Sequence, residues 1–177
     1  MKKTIDIIII ILIFLFIYFL QVNFFTWFNI AGIMPNLFIL LLIMIGMFLK
    51  KDFGFFFGVV FGLLLDFFIG IRVGIYSIAL GLVGLISGLL ERSFSKDSKI
   101  TVMIITLFLT AIFEMIVYIL NIFFVGVSNV DIINFLSIVL VECFYNTILI
   151  IIVYPLFSKF GSKLEEDFIN KSFLNFL

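Results

Sequence analysis

The chain has 177 residues, of which 65% are hydrophobic and 12% are charged. Soluble domains are about 45–50% apolar and about 25% charged, so this composition excludes a water-soluble globule, and its hydrophobicity also excludes disorder. Eleven basic residues balance eleven acidic ones, which gives no indication of a nucleic-acid partner. Histidine is absent and there is one cysteine, which excludes disulfides within the chain and His-containing metal sites and triads. The composition therefore indicates a polytopic membrane protein.

Six apolar stretches are each long enough to cross a bilayer as a helix, which takes about 20 residues. The stretches do not alternate apolar and polar residues, so we expect helices rather than barrel strands. They account for most of the chain, which predicts an all-α integral membrane protein with a single six-helix domain over residues 1–177. The predicted helices cover about 5–25, 30–49, 53–71, 74–90, 100–125 and 132–157, followed by a tail over 158–177.

The basic residues predict the orientation, because Lys and Arg accumulate on the cytoplasmic side of a membrane. Ten of the eleven fall before helix one, between helices two and three, between helices four and five, or after helix six; Arg72 is the exception. We therefore expect a multi-pass protein of the cytoplasmic membrane with both termini inside. In the tail, Phe160, Leu164 and Phe168 are spaced by four, which fits either a short amphipathic helix at the membrane surface or a solvated segment.

The third predicted helix carries a strip of glycines at multiples of four residues, and Asp66 takes the vacant place in the series. Residues four apart lie on one side of a helix, so the strip lets a neighbouring backbone approach closely. We predict a helix-packing or partner interface there. Asp66 either contacts a partner, a substrate or a buried donor, or it hydrates itself near the interface and ends the helix. The strip is Gly54, Gly58, Gly62, Gly70 and Gly74, and the next helix continues the pattern with Gly81, Gly84, Ser87 and Gly88.

Two glutamates, Glu114 and Glu142, lie deep in the fifth and sixth predicted helices. Each is about 15 Å from the outer end of its helix by helical rise, so the two are at matched depth. The pair is either a proton, cation or substrate site, or a hydrogen-bonded clamp that holds two helices together. Polar side chains share the faces of the two glutamates: Tyr118 and Asn121 on one helix, Tyr145 and Asn146 on the other.

The sequence does not contain a recognisable catalytic motif. Cys143 lies in an apolar helix, where a thiol is unreactive. The glycine strip leads to Asp66 rather than to the lysine of a phosphate-binding loop. Intramembrane aspartyl chemistry needs two aspartates, and Asp66 is the single deep one. We therefore expect no enzymatic activity, no cofactor and no metal.

Residues 34–92 resemble the rod shape-determining protein MreD family. The resemblance rests on Met34-Pro35-Asn36-Leu37, on the aliphatic run that ends at Lys50-Lys51, and on the glycine strip with Asp66. A proline that the family usually carries before the last glycine is replaced here by Val73. By position, the resemblance implies that a helix–helix or partner interface is shaped by Pro35, Asn36, Gly54, Gly58, Gly62, Asp66 and Gly74.

The resemblance implies a non-enzymatic membrane subunit of the bacterial cell-elongation complex. Such a subunit binds MreC and works beside the actin-like MreB, the glycosyltransferase RodA and a class B penicillin-binding protein. The resemblance also implies a bundle similar to the substrate-binding subunits of energy-coupling-factor vitamin transporters. The alternative function is therefore a vitamin-binding subunit that encloses its ligand with Asp66, Glu114 and Glu142. Short, apolar external loops and a first helix without an Ala-x-x-x-Ala pattern favour the scaffold.

Overall fold

A computed structural model describes residues 2–69, 72–91, 94, 98–125 and 132–166. Within these ranges the chain is helical, as the apolar runs predict. Three helical stretches are long and apolar enough to cross a membrane, namely Ile7–Phe28, Lys99–Phe124 and Ile132–Glu165. The helices are α1 (Lys2–Phe19, continued by a π-helical turn at Leu20–Phe24 and a 3-10 turn at Phe25–Phe28), α2 (Leu37–Phe68), α3 (Ile75–Leu90), α4 (Lys99–Val125) and α5 (Ile132–Glu165).

Helix α2 reverses its direction at Lys50, where the backbone leaves the helical region with φ 73° and ψ 165°. The ring of Phe14 lies 5.5 Å from the ring of Phe38 and 4.2 Å from that of Phe61. In a straight helix Phe38 and Phe61 would be about 34 Å apart. Helix α2 is therefore a hairpin with a first arm (residues 37–49) and a second arm (residues 51–68). The predicted break between two helices at Lys50-Lys51 is confirmed.

The first arm of α2 is the centre of the bundle, because every residue from Leu37 to Leu49 is buried. An apolar surface on all sides of a helix is typical of such a position. The ring of Phe48 packs on the backbone of Gly161 in α5, and Ser87 Oγ of α3 donates to the carbonyl oxygen of Leu42. At about 20 Å the arm is shorter than the roughly 30 Å hydrocarbon layer of a bilayer.

The second predicted helix begins later than expected, at Leu37 rather than at residue 30. Residues 30–33 form a tight turn in which Ile30 and Ile33 exchange two backbone hydrogen bonds. Ala31 and Gly32 take positive φ values of 53° and 82°, which a helix does not allow. Pro35 then favours an extended preceding residue. The predicted start at residue 30 was wrong. The apolar side chains of this segment suggested a helix, whereas its backbone forms a turn.

Helix α5 continues beyond the predicted end at residue 157, as far as Glu165. Phe157, Gly161 and Leu164 are buried, and Gly161 faces the ring of Phe48. The first part of the predicted tail is therefore the end of a packed helix, and not a separate surface helix or a solvated segment. Phe168 lies outside the described residues.

Candidate functional site

The glycine strip of α2 packs against α3 of the same chain. A Cβ atom added at Gly54 would overlap the carbonyl group of Gly84, and one at Gly58 would overlap the carbonyl oxygen of Leu80. At Gly62 the overlap would be with the backbone of α3 near Ser77. The two backbones are thus in direct contact along the strip, as small-residue motifs permit.

Of the two predicted uses of the strip, helix packing and a partner interface, helix packing within the chain is the one observed. At Gly54, Gly58 and Gly62 the strip is occupied by α3, which leaves no free surface for a partner helix at these three glycines. The close packing predicted for this pair of helices is present. Gly70, the fourth glycine of the predicted strip, lies outside the described residues.

Gly46 is a packing residue that the sequence interpretation missed. It lies in the first arm of α2, where an added Cβ would collide with Ser87 Oγ and approach the backbone of Gly84 and Gly88. Both arms of α2 therefore meet the same small-residue face of α3. The sequence contained one indication of this contact, namely the small residues Gly84, Ser87 and Gly88 on α3, which leave room for a second neighbouring backbone.

Asp66 caps the N-terminus of α3. Its Oδ2 accepts hydrogen bonds from the backbone N–H groups of Gly74 (2.8 Å) and Ser77 (3.1 Å), and its Oδ1 accepts one from Tyr76 (2.9 Å). The side chain is 2% exposed. The first N–H groups of a helix lack partners within the helix, and the helix dipole favours a negative charge beside them. Of the two interpretations, the buried donor is the one observed, and the donors belong to the chain itself.

Gly74 provides the turn that brings α3 back onto the second arm of α2. Its φ is 112°, in the region that side chains with a Cβ rarely adopt. An added Cβ would meet nothing within 4 Å, so the requirement for glycine is conformational rather than steric. Val73, which replaces the family's proline, is 60% exposed and leaves this turn intact.

Pro35 and Asn36 form a polar junction at the start of α2. Gln21 Nε2 donates to the carbonyl oxygen of Pro35 (2.6 Å), and Gln21 Oε1 accepts from the Leu37 N–H (3.1 Å). Asn146 Oδ1 accepts from the Asn36 N–H (2.8 Å). The junction thus ties α1, α2 and α5 together inside the chain. Gln21 was missed because it reads as an ordinary polar residue at a helix end.

A cavity of about 760 Å³ lies beside this junction. Its walls come from the end of α1 and its π and 3-10 turns, the turn before α2, both arms of α2, and helices α3, α4 and α5. Phe68 and Ile69 line the cavity and are also more than half exposed, so the cavity reaches the molecular surface near the end of α2. Its volume is within the usual range for small-molecule sites, about 300–1,000 Å³.

Glu114 and Glu142 both line the cavity, from α4 and α5. The two carboxyl groups are close enough to interact, and the side chains of Asn36 and Asn146 lie next to Glu142. Glu142 is 6% exposed, yet its Oε1 accepts no hydrogen bond, and neither does the buried Oδ1 of Asn36. Buried acceptors without partners are uncommon in proteins, and here both belong to residues that line the cavity.

Two of the four polar neighbours expected to form a clamp with the two glutamates are engaged elsewhere. Tyr145 Oη donates to the carbonyl oxygen of Phe28, and Asn121 Nδ2 donates to that of Val117 in its own helix. The hydroxyl of Tyr118 is buried without a hydrogen-bond partner. Of the four neighbours, Asn146 is the one that adjoins Glu142. Glu142 therefore has Glu114, Asn36 and Asn146 as neighbours, as a clamp requires, and it also lines the cavity with an acceptor that has no partner.

The described residues show no constellation that suits metal binding. Within that part of the chain, no group of three or more His, Cys, Asp or Glu side chains is placed to hold a metal ion. Cys143 is buried, and its Sγ donates to the carbonyl oxygen of Leu107 at 3.5 Å. A buried thiol of this kind has a structural role.

Comparison with known proteins gives one match. No curated protein and no solved structure matches the chain. The family model described as rod shape-determining protein MreD matches residues 1–164, which include every helix apart from the last residue of α5. The chain belongs to the MreD family of rod shape-determining membrane proteins.

Proposed function

We propose that the chain is a non-enzymatic subunit of the cell-elongation complex that binds MreC and helps to position peptidoglycan synthesis. The family match over residues 1–164 carries this proposal. In the same assembly we place MreB, RodA and a class B penicillin-binding protein. An all-helical fold with long apolar helices suits a protein that acts through contacts within the membrane.

The site for MreC in this proposal is an outer face of the bundle, since the glycine strip is filled by α3. Outward-facing apolar side chains line α1, α4 and α5, where lipid or a partner helix covers them. Representative exposed residues are Leu12 and Phe16 on α1, Ile104 and Phe108 on α4, and Leu140 and Phe144 on α5.

Site-specific photo-crosslinking tests this arrangement. A photoreactive amino acid is placed at Leu12, Phe108 or Leu140, each more than half exposed, in the full chain co-expressed with MreC. We expect a crosslink to MreC from one of these faces. Ile39, which is 0% exposed in the first arm of α2, is the internal control and is expected to give none. Failure of the unmodified chain to co-purify with MreC would count against the proposal as a whole.

The proposed orientation places both termini in the cytoplasm. Lys51 adjoins Gly88 near the end of α3, and Phe48 adjoins Gly161, so the Lys50 turn and the end of α5 share one end of the bundle. Tyr18 and Phe68 have ring centroids 5.5 Å apart, which places the end of α1 at the opposite side. Lys50, Lys51, Lys159 and Lys163 therefore cluster at one end, as a cytoplasmic face requires. Labelling of cysteines introduced at Lys51 and Trp27 with an impermeant reagent in intact cells is expected to modify the second and spare the first.

A second candidate function is the vitamin-binding subunit of an energy-coupling-factor transporter, and the cavity is the observation in its favour. Equilibrium binding of labelled vitamins to the purified chain tests it. Saturable binding that Glu142→Gln weakens would support this function. Absence of binding would leave the elongation-complex proposal unaffected, because that proposal does not use the cavity.

A further inference from the structure

The cavity next to Glu142 has a wall chemistry that restricts what it can hold. Glu142 Oε1 and Asn36 Oδ1 are acceptors without partners, and the carboxyl group of Glu114 lies beside them. Among the described residues that line the cavity, none is basic. An occupant that donates hydrogen bonds and carries positive charge would suit these groups, whereas the described lining offers no basic side chain to neutralise an anion.

Aromatic rings make up much of the remaining wall. Tyr76 and Phe113 stack with a centroid separation of 6.2 Å. The negative face of an aromatic ring attracts an organic ammonium ion. An inorganic ion is far smaller than a cavity of about 760 Å³, so the volume favours an organic body attached to the charge. The aromatic lining residues are Tyr18, Phe38, Phe68, Tyr76 and Phe113.

We propose that this cavity binds an organic molecule through a primary ammonium group, with Glu142 and Asn36 accepting its N–H bonds. Glu114 adds negative charge to the site, and the aromatic rings surround the carbon-bound part of the group. The proposal does not depend on MreC binding, since the cavity is separate from the outer faces proposed for MreC.

Two sources supply the same ammonium chemistry. One is the headgroup of a membrane lipid such as phosphatidylethanolamine, which would enter beside the exposed Phe68 and Ile69. The other is a free amine from the aqueous side, which ethanolamine represents.

The test uses the full chain purified in detergent and three lipids with the same acyl chains. Phosphatidylethanolamine offers N–H donors and a positive charge, phosphatidylcholine offers the charge without N–H donors, and phosphatidylglycerol offers neither. Native mass spectrometry measures how much of each lipid the protein retains. We expect retention in the order given, with phosphatidylethanolamine favoured over phosphatidylcholine by about tenfold, the effect of one charge-assisted hydrogen bond. Equal retention of all three lipids, without binding of ethanolamine, would overturn the proposal.

Ethanolamine is titrated separately, with the fluorescence of Trp27 as the readout. Trp27 is the sole tryptophan, and it follows Thr26, which lines the cavity. Saturable binding of this probe together with equal retention of the lipids assigns the site to a free amine. Selective lipid retention without a response to the probe assigns it to a headgroup.

Substitutions of the two glutamates test whether binding takes place in the cavity. Glu142→Gln is expected to lower retention of the preferred probe by about tenfold or more, and Glu114→Gln by less. Asp52→Asn is the matched control, because Asp52 is an exposed carboxylate outside the cavity. Unchanged retention in both glutamate variants would refute the assignment. Continued co-purification of Glu142→Gln with MreC separates this result from a failure of the elongation-complex proposal.

Discussion

The buried carboxylate at the interface between α2 and α3 is fully hydrogen-bonded. At the cavity beside α4 and α5, by contrast, buried acceptors lack partners. At the interface, the carboxylate of Asp66 accepts three backbone hydrogen bonds, and glycines let the two backbones come into contact. At the cavity, Glu142 and Asn36 keep acceptors without partners. At the interface the helices are in contact and the Asp66 oxygens have hydrogen-bond partners. The cavity reaches the molecular surface, and two acceptors of its lining residues have no partner.

This difference assigns different roles to residues that look alike in the sequence. A buried carboxylate with all its partners in the chain stabilises the fold, because its removal leaves donors unpaired. A buried carboxylate with a free acceptor beside a cavity lowers stability unless something binds. We expect substitutions in the first region to affect folding, and substitutions in the second region to affect binding.

The largest effect is expected for Gly58→Leu. Even a single Cβ at this position overlaps the carbonyl oxygen of Leu80, and backbone atoms cannot move aside as side chains do. Gly58→Ala should cost about 3 kcal/mol or more through overpacking, and Gly58→Leu should prevent folding. The yield of monodisperse protein in detergent and its thermal unfolding midpoint measure this. Any loss of MreC in a pull-down with these variants would follow from the loss of the fold.

Gly74→Ala is the matched control for Gly58→Ala. Its Cβ has open space, so the cost is limited to the strain of a positive φ, about 1–2 kcal/mol. A destabilisation as large as that of Gly58→Ala would show that steric contact with α3 is not what sets the requirement for glycine.

Asp66→Ala is expected to cost about 3 kcal/mol, because it leaves the N–H groups of Gly74, Tyr76 and Ser77 without their acceptor. Asp66→Asn keeps one acceptor oxygen and should cost about half as much. Thermal unfolding followed by circular dichroism measures both. Equal stability of Asp66→Ala and the parent chain would contradict the capping role.

Much of the fold was predictable because hydrophobicity and charge act locally. The apolar runs locate α1, α3, α4 and the start of α5, and the charges of Lys50 and Lys51 mark the reversal within α2. The turn at residues 30–33 was not predicted, because its apolar residues are typical of a membrane helix. Its shape depends on the left-handed backbone conformation of Ala31 and Gly32.

The sequence identified residues of the site, but it did not show what those residues contact. A glycine strip shows that something packs closely, and only the fold reveals that α3 does so. The matched depth of Glu114 and Glu142 follows from helical rise, whereas the cavity between them depends on how five helices pack. The role of Gln21 needed the same three-dimensional information, because its bonds reach residues 14 and 16 positions away.

Asn146→Ala tests the polar junction at the start of α2. Asn146 is 0% exposed, accepts from the Asn36 N–H and donates to Thr110 Oγ1 at 3.1 Å. Removing it leaves a backbone donor unpaired, at a cost of about 2 kcal/mol. Asn121→Ala is the matched control: its side chain bonds within its own helix, and its loss should change stability by less than about 0.5 kcal/mol. Similar unfolding midpoints for the two variants would argue against the junction.

Glu142→Gln should have the smallest effect on stability and the opposite sign to Asp66→Asn. The new amide group adds donors beside the unpaired Oδ1 of Asn36, so the free energy of unfolding is expected to stay constant or to rise by up to about 1 kcal/mol. The thermal midpoint of ligand-free protein measures this change, with Asp52→Asn as the neutral control. A binding site commonly lowers the stability of the protein that carries it. A clear destabilisation by Glu142→Gln would instead show that the glutamate serves the fold as Asp66 does, and the contrast between the two regions would fail.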